Sequence, residues 1–261
     1  MKYRADIDGL RAVAVLPVIL HHAGWAPFSG GFFGVDVFFV ISGFLITGIV
    51  ADELAEGRFS IARFYERRAR RILPALLVVM GASLAAAQVL MTPPQIEEVS
   101  RSILATLAFA SNLFFWSEVG YFDAAAGAKP LLHTWSLAVE EQFYIVFPLV
   151  LMALWRRGVG LRAAIYAVAA LAALSFVAME ASRELRLVSP SGLFYLAHFR
   201  AWELLAGALC ALVAMGSERT DMLRPAPNAV VIARPARGPR RRYPPTDVTL
   251  SRVLRYSKAS S

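Results

Sequence analysis

The sequence has little that would support a disulfide-bonded or metal-centred protein. It contains a single cysteine, Cys210, which excludes an intrachain disulfide and a metal site of the CxxC kind. Cys210 lies in an apolar run, which favours its packing as a small hydrophobic side chain. Charged residues are also scarce: they make up 18% of the 261 residues, while 57% are hydrophobic. A soluble domain of this length carries more charge and shorter apolar runs, so the composition predicts a membrane protein.

A cleavable signal peptide is not predicted either. A basic start precedes the first apolar run, but His21, His22 and Trp25 occupy the place where small residues would mark a cleavage site. The N-terminal apolar run is therefore interpreted as part of the folded protein.

The apolar runs predict an all-α fold, a polytopic membrane bundle of about six transmembrane helices. The predicted spans are residues 10–25, 32–50, 72–91, 137–155, 163–179 and 199–215. A further apolar run, 103–116, has only about fourteen residues, a length typical of a re-entrant or interfacial helix. An amphipathic interfacial helix is predicted from Ser60, a suitable N-cap, to Arg71.

Charge distribution predicts the orientation of the bundle. Six arginines between residues 51 and 71 place that loop on the cytoplasmic side. If residues 103–116 do not cross the membrane, the basic loop around residues 156–162 is cytoplasmic as well. We therefore expect a bacterial inner-membrane protein with both termini in the cytoplasm.

The C-terminal residues differ in composition from the rest. Residues 216–261 contain ten Lys or Arg against three Asp or Glu, together with many prolines. This composition predicts a disordered tail, so we expect a membrane domain over 1–215 and a Pro/Arg-rich tail over 216–261. Clustered arginines attract phosphate, which leaves anionic lipid or nucleic acid as possible ligands of the tail, although no nucleic-acid partner is expected.

The first two apolar segments contain ionisable groups that a hydrocarbon environment disfavours. Arg11 and His22 are eleven residues apart, about three helical turns, and so share one face of a helix. Asp36 lies about one turn into the second segment, at a similar depth to His22 if the two segments form a hairpin. Such groups usually face a bundle interior and mark a functional path. A His–Asp pair suits general-base chemistry, but it equally suits a buried pair that only ties two helices together.

Two further groups of charged residues require explanation. Glu140 and Glu141 fall in the early turns of a span, where carboxylates stabilise a helix N-terminus behind a Ser136 cap. That role does not explain why they enter an otherwise apolar span. Arg68 and Arg71, at positions i and i+3, suit a phosphate clamp, although arginines beside a span often only fix its orientation.

Five separated motifs resemble the acyltransferase-3 family of membrane acyltransferases, of the O-antigen and peptidoglycan O-acetylase type. They are DGLRAVAVLPVILHH, GVDVFFVISGFLIT, FYERRARRILP, HTWSLAVEEQFYIVFPL and FRAWELLAGA, in the family's order over residues 3–215. The resemblance implies transfer of an acyl group, commonly acetyl from cytoplasmic acetyl-CoA, to a hydroxyl of a cell-envelope glycan or lipid-linked sugar. The expected partners are thus membrane lipid, the acyl-CoA donor and that acceptor, and no metal is expected.

The resemblance also implies roles for particular residues. The family's Arg-x10-His motif falls on Arg11 and His22, and its Arg-x-x-Arg motif on Arg68 and Arg71. The implied catalytic residues are His22, Asp36, Glu140 and Glu141. The implied donor-binding residues are Arg11, Arg68 and Arg71, which would hold CoA phosphates. His22, supported by Asp36 or Glu140, would deprotonate an acceptor hydroxyl or assist acyl passage.

The sequence departs from the family in length. The family usually has about ten spans, and the tail after residue 215 resembles no part of it. We expect that a frameshift or truncation replaced the last spans, and that the chain as written is not a competent enzyme. The alternative function is a transporter whose buried His, Asp and Glu form a proton or solute path.

Overall fold

A computed structural model describes residues 5–118 and 129–223, and the described residues are almost entirely helical. They form nine α-helices. The helices are α1 (Ala5–His22), α2 (Gly34–Ala55), α3 (Ile61–Leu90), α4 (Pro93–Leu107), α5 (Ser111–Glu118), α6 (Thr134–Arg156), α7 (Leu161–Glu184), α8 (Pro190–Tyr195) and α9 (Ala197–Leu223). Two 3-10 turns, Ala26–Phe28 and Gly31–Phe33, connect α1 to α2. The prediction of an all-α helical bundle is confirmed.

Five helical segments are long and apolar enough to cross a membrane. They are Gly31–Ala55, Ile61–Leu90, Thr134–Arg156, Leu161–Glu184 and Pro190–Ser217. The first predicted span is not among these five. Its helix, α1, begins at Ala5 and ends at His22, so it includes Asp6, Asp8 and Arg11 and stops before Trp25.

The central contact of the bundle is the packing of α2 against α9, which is more extensive than any other pairing of the described helices. Gly43 of α2 lies directly against the backbone carbonyl of Leu204, and Gly207 of α9 against that of Val40. A Cβ atom at either glycine would overlap the facing backbone. The two helices approach this closely only because both positions have no side chain.

Apolar side chains form two clusters along the bundle. One cluster contains Phe39 and Trp135, and the other contains Ile46 and Phe147. Both α2 and α6 contribute to each cluster, so these helices run through both. Ser42 of α2 and Glu140 of α6 fall in sequence between the two clusters, which places polar side chains at the junction.

Two predicted helix boundaries are wrong. The structure has no break near residue 72, because α3 continues from Ile61 to Leu90, and its first turns are not solely interfacial, since Phe64 is only 1% exposed. Ser60 does cap this helix, accepting from the Arg63 amide at 3.5 Å. The single helix expected over 103–116 is interrupted at Phe109, which has a positive φ of 51° between α4 and α5. Neither α4 nor α5 is among the candidate spans.

The C-terminal boundary expected at residue 215 falls inside a helix. α9 begins at Ala197 and continues to Leu223, so the helix passes residue 215 without a break. The tail predicted to be disordered lies, beyond residue 223, outside the described residues. Its disorder stays a prediction.

The glycine contacts predict a large and specific cost of adding a methyl group between α2 and α9. We expect Gly43→Ala and Gly207→Ala each to destabilise the fold by about 1–3 kcal/mol, because overpacking forces the backbones apart. Gly81→Ala on α3 is the matched control, since no atom lies within 4 Å of its added Cβ. The measurement is chemical unfolding of the purified protein in detergent. Equal stability of all three variants would contradict this close helix crossing.

Candidate active site

A hydrogen-bonded group of side chains from α2 and α6 lies at the junction of the two apolar clusters. The Tyr144 hydroxyl lies 2.8 Å from the Ser42 Oγ and 3.1 Å from the Glu140 Oε2. Glu140 and Tyr144 are neighbours because they are four residues apart on one helix. Tyr144 is the eleventh of the 23 residues of α6, so this group lies near the middle of the helix.

Two arginines bring positive charge to this group. The Arg68 guanidinium of α3 lies 5.5 Å from the centre of the Tyr144 ring and 5.9 Å from that of Phe64, as in cation–π contacts. The charges of both Arg68 and Arg11 act on the Glu140 carboxylate. Arg68 therefore lies beside the tyrosine that contacts Glu140, and the interaction of Arg11 with this carboxylate is a longer-range electrostatic one.

Glu141 and Arg71 lie at the edge of the same group. The Glu141 side chain is buried, its charge and that of Arg68 attract each other, and its Oε1 has no hydrogen-bond partner within the described part of the chain. Arg71 is exposed one turn further along α3, near enough for its charge to act on Arg68. We call these residues the polar junction: Arg11, Ser42, Arg68, Arg71, Glu140, Glu141 and Tyr144.

Asp36 is not in the polar junction and is not hydrogen-bonded to His22. Its carboxylate forms an ion pair with Arg200 of α9, and Arg200 also pairs with Glu203 at 3.1 Å. The Arg200 side chain is 13% exposed and that of Glu203 only 2%. The expected His22–Asp36 contact is therefore wrong, because a guanidinium attracts this carboxylate more strongly than a histidine on the neighbouring helix.

His22 lies at the end of α1 with a different neighbour. Its Nδ1 donates to the Val18 carbonyl at 2.8 Å, which leaves Nε2 without a hydrogen bond to any described side chain. His133, just before α6, is close enough for the two rings to influence each other electrostatically. Burial lowers the pKa of His133, the Pro130 backbone raises it, and the charge of His22 lowers it.

The predicted site residues therefore fall into three groups. Arg68, Glu140 and Glu141 belong to one group, and the charges of Arg11 and Arg71 act on it. Asp36 lies with Arg200 and Glu203, and His22 lies near His133. The predicted capping role of Ser136 is also wrong, because α6 begins at Thr134 and the Ser136 hydroxyl donates to the His133 carbonyl at 3.2 Å.

Sequence reasoning missed Ser42 and Tyr144 as members of the site. Neither residue type indicated a functional site, because serine and tyrosine are ordinary residues in a membrane helix. The spacing of Tyr144 four residues after Glu140 was available, but the choice of Ser42 as the partner required the register of α2 against α6. The pairing of Asp36 with Arg200, 164 positions apart, likewise required the tertiary structure.

The polar junction offers chemistry that an apolar bundle lacks. Half-buried guanidinium groups away from bulk water bind anionic groups strongly, and phosphate is the anion they recognise best. A neighbouring carboxylate and a phenol supply a proton acceptor and a proton donor. Two cavities, of about 340 and 430 Å³, lie elsewhere, one lined by α4, α5 and residues 129–131 and the other by the ends of α2, α6, α7 and α9.

Comparison with known proteins identifies the family. A sequence-family model described as an acyltransferase domain matches residues 4–222 of this chain. The chain therefore belongs to the acyltransferase-3 family, as the sequence motifs predicted. No solved structure is similar enough to this chain to be matched.

Several curated proteins share part of this sequence. The putative O-acetyltransferase SAS0844 of Staphylococcus aureus is 42% identical over 156 residues, 59% of this chain and 26% of the relative. The S. aureus O-acetyltransferase OatA is 40% identical over 158 residues, 60% of this chain and 26% of the relative. An uncharacterized protein of Haemophilus influenzae is 36% identical over 202 residues, 76% of this chain and 82% of the relative. The chain spans about a quarter of the length of the O-acetyltransferases that it matches.

The Asp36–Arg200 pair predicts a stability effect that an exposed ion pair does not have. Arg200→Met should destabilise the fold by about 1–3 kcal/mol, because it leaves the buried Glu203 and the partly buried Asp36 without a cation. Arg183→Met is the control: its bridges to Glu180 and Glu184 are exposed, and their loss should cost no more than about 1 kcal/mol. Unfolding in detergent measures both, and equal losses would contradict a structural role of the buried pair.

The proximity of His22 and His133 predicts a shift that titration detects. In His22→Gln the pKa of His133 should rise, because the neighbouring positive charge that lowers it is gone, while His198→Gln should leave it unchanged. The measurement is an NMR titration of histidine-labelled protein in nanodiscs, with the His133 signal assigned from His133→Gln. An unchanged His133 pKa in His22→Gln would place the two rings out of electrostatic range.

Proposed function

We propose that this chain is the membrane domain of an O-acyltransferase. It would move an acyl group, acetyl in the simplest case, from acyl-CoA to a hydroxyl of a cell-envelope glycan or lipid-linked sugar. The observation that supports this most directly is the position of the Arg68 guanidinium, 5.5 Å from the centre of the Tyr144 ring, while the hydroxyl of the same tyrosine lies 3.1 Å from the Glu140 carboxylate, inside a helical membrane bundle. The family supports acyl transfer, and the names of the matched O-acetyltransferases suggest oxygen as the acceptor atom.

The arginines are the proposed binding site for the donor. CoA carries a 3′-phosphate and a diphosphate, and these anions require cations to enter the bundle. Arg68 has no ion pair with a described carboxylate within 4 Å, unlike Arg67 and Arg70 on the same helix, which bind Glu53 and Glu66. Arg68 therefore remains available for a ligand, with Arg11 and Arg71 adding charge nearby.

The proposed proton transfers involve His22 and the glutamates. His22 has one ring nitrogen engaged with Val18 and the other available, the arrangement that a general base requires. Glu140 is held by the Tyr144 hydroxyl close to the arginines. We propose that Glu140 and Glu141 act near the donor thioester, whose acyl C–S bond breaks as CoA leaves as a thiol with a proton from one of these carboxyl groups. His22 accepts the proton of the hydroxyl oxygen to which the acyl group becomes bonded. Asp36 would contribute indirectly, through its ion pair with Arg200.

The orientation follows from the arginines between residues 51 and 71. These side chains favour the cytoplasmic face, so the donor would enter from the cytoplasm of a bacterial inner membrane, with both termini on that side. The acceptor hydroxyl would approach His22 from the opposite face. A path across the bundle between the two sites is therefore part of this proposal.

The first test separates donor binding from turnover. Arg68→Ala and Arg71→Ala should weaken acetyl-CoA binding by about 10- to 100-fold, since each removes a charge-assisted bond of about 1.5–3 kcal/mol. Arg70→Ala is the matched control on the same helix, because Arg70 is exposed and already paired with Glu66. Binding is measured by calorimetry on the purified chain in nanodiscs. A loss of affinity as large in Arg70→Ala as in Arg68→Ala would show only a general charge effect.

The second test addresses the reaction. Because the chain as written is expected to be inactive, the assay uses membranes that express the protein with its C-terminal part restored. They are supplied with labelled acetyl-CoA and envelope glycan, and label in the glycan is counted. His22→Ala should remove transfer while keeping membrane insertion and acetyl-CoA binding. Near-normal transfer by His22→Ala would show that His22 is not the base. Ion-dependent solute uptake without transfer from any acyl-CoA would instead favour a transporter.

A further inference from the structure

Tyr144 contacts more members of the polar junction than any of the charged side chains does. Its hydroxyl is within hydrogen-bonding distance of Ser42 at 2.8 Å and of Glu140 at 3.1 Å. Its ring face lies 5.5 Å from the Arg68 guanidinium carbon. One buried side chain thus touches groups from α2, α3 and α6.

The ring and the hydroxyl have separate effects. Arg68 is half-buried, and no described carboxylate forms an ion pair with it, so the aromatic faces of Tyr144 and Phe64 are the contacts that fix its guanidinium. A long side chain without such contacts would sample many rotamers and would leave its charge poorly placed for a ligand. The ring therefore determines where the positive charge lies.

The hydroxyl determines where the carboxylate lies. A phenol has one proton to donate, and Ser42 and Glu140 both lie within reach of it. Because the ring is locked by burial, the hydroxyl holds Glu140 on the same side of α6 as Arg68. Ser42 also interacts with the Glu140 carboxylate, so the two hydroxyls hold it together, and of these two residues Tyr144 is the one that also contacts Arg68.

We propose that Tyr144 is a positioning residue, which aligns Arg68 through its ring and Glu140 through its hydroxyl. This role deepens the proposed acyl transfer and rests on it for its purpose, since a donor phosphate and thioester would have to be held at a set distance. Tyr144 itself need not touch the reacting atoms. The two halves of the role are separable, because Tyr144→Phe keeps the ring and Tyr144→Leu removes both ring and hydroxyl.

The ring half is tested by a double-mutant cycle on acetyl-CoA binding to the full chain in nanodiscs. Arg68→Ala and Tyr144→Leu should each weaken binding about tenfold. The double variant should also bind only about tenfold more weakly, because one change removes the Arg68 charge and the other removes the ring that positions it. Tyr144→Phe should bind within twofold of the unmodified protein. Wild-type affinity in Tyr144→Leu, or a hundredfold additive loss in the double variant, would overturn the proposal.

The role of the hydroxyl is tested by transfer rates, measured with the restored protein of the second test above. Tyr144→Phe should lower kcat about tenfold with an unchanged KM for acetyl-CoA, a split that a general loss of packing would not produce. Tyr65→Phe is the matched control: the Tyr65 hydroxyl also contacts α6, where it donates to the Ile145 carbonyl at 2.8 Å rather than to Glu140. Equal kcat values for the two variants would overturn the role of the hydroxyl.

The proposed function and the positioning role fail in distinguishable ways. If the unmodified chain binds no acetyl-CoA, the proposed donor site is wrong. The coupling of Arg68 and Tyr144 is then read from the thermal unfolding midpoints of the same four proteins, which need no ligand. The double variant should unfold no lower than the less stable single variant, and additive shifts would overturn the positioning role on their own.

Discussion

The structure depends on the pairing of charged side chains inside a bundle of apolar helices. An ionised group at membrane depth is costly unless a partner or water compensates it. Glu140 and Glu141 interrupt an apolar helix, and Asp36 and Glu203 do the same in α2 and α9. Arg200 forms ion pairs with both members of the second pair. In the first pair, Glu140 is within hydrogen-bonding distance of Tyr144, and the charge of Arg68 acts on both glutamates at longer range. The helices that supply these arginines are thereby held in one arrangement against the helices that supply the carboxylates.

Small residues make this arrangement possible. α2 and α9 contact each other through Gly43 and Gly207, which brings Asp36 and Arg200 within reach across the interface. The same α2 presents Ser42 to Tyr144 on another face. α2 therefore connects the structural ion pair with the polar junction, so a shift of α2 would disturb both.

Much of the fold was predictable from the sequence, whereas the pairing of site residues was not. Apolar run length identified the long helices, and the Arg-x10-His and Arg-x-x-Arg motifs identified the family. Helix breaks were less predictable, because Phe109 adopts a positive φ without glycine and α3 continues through the expected break at residue 72. The predicted partner of Asp36 was wrong. Asp36 and His22 would lie at a similar depth in a helical hairpin, which favoured His22, whereas the observed partner, Arg200, lies 164 positions away in the sequence. Contacts of this kind depend on helix register, which periodicity does not determine.

The most direct measurement is photo-crosslinking with an acyl-CoA that carries a photoreactive group near the thioester, followed by mass spectrometry of the labelled peptides. If the polar junction holds the donor, label should appear in α3 around Arg68 and in α6 around Glu140, and excess unlabelled acetyl-CoA should compete it away. Label confined to α7 or to the cavity beside Lys129, with none at the polar junction, would contradict a donor site between these helices.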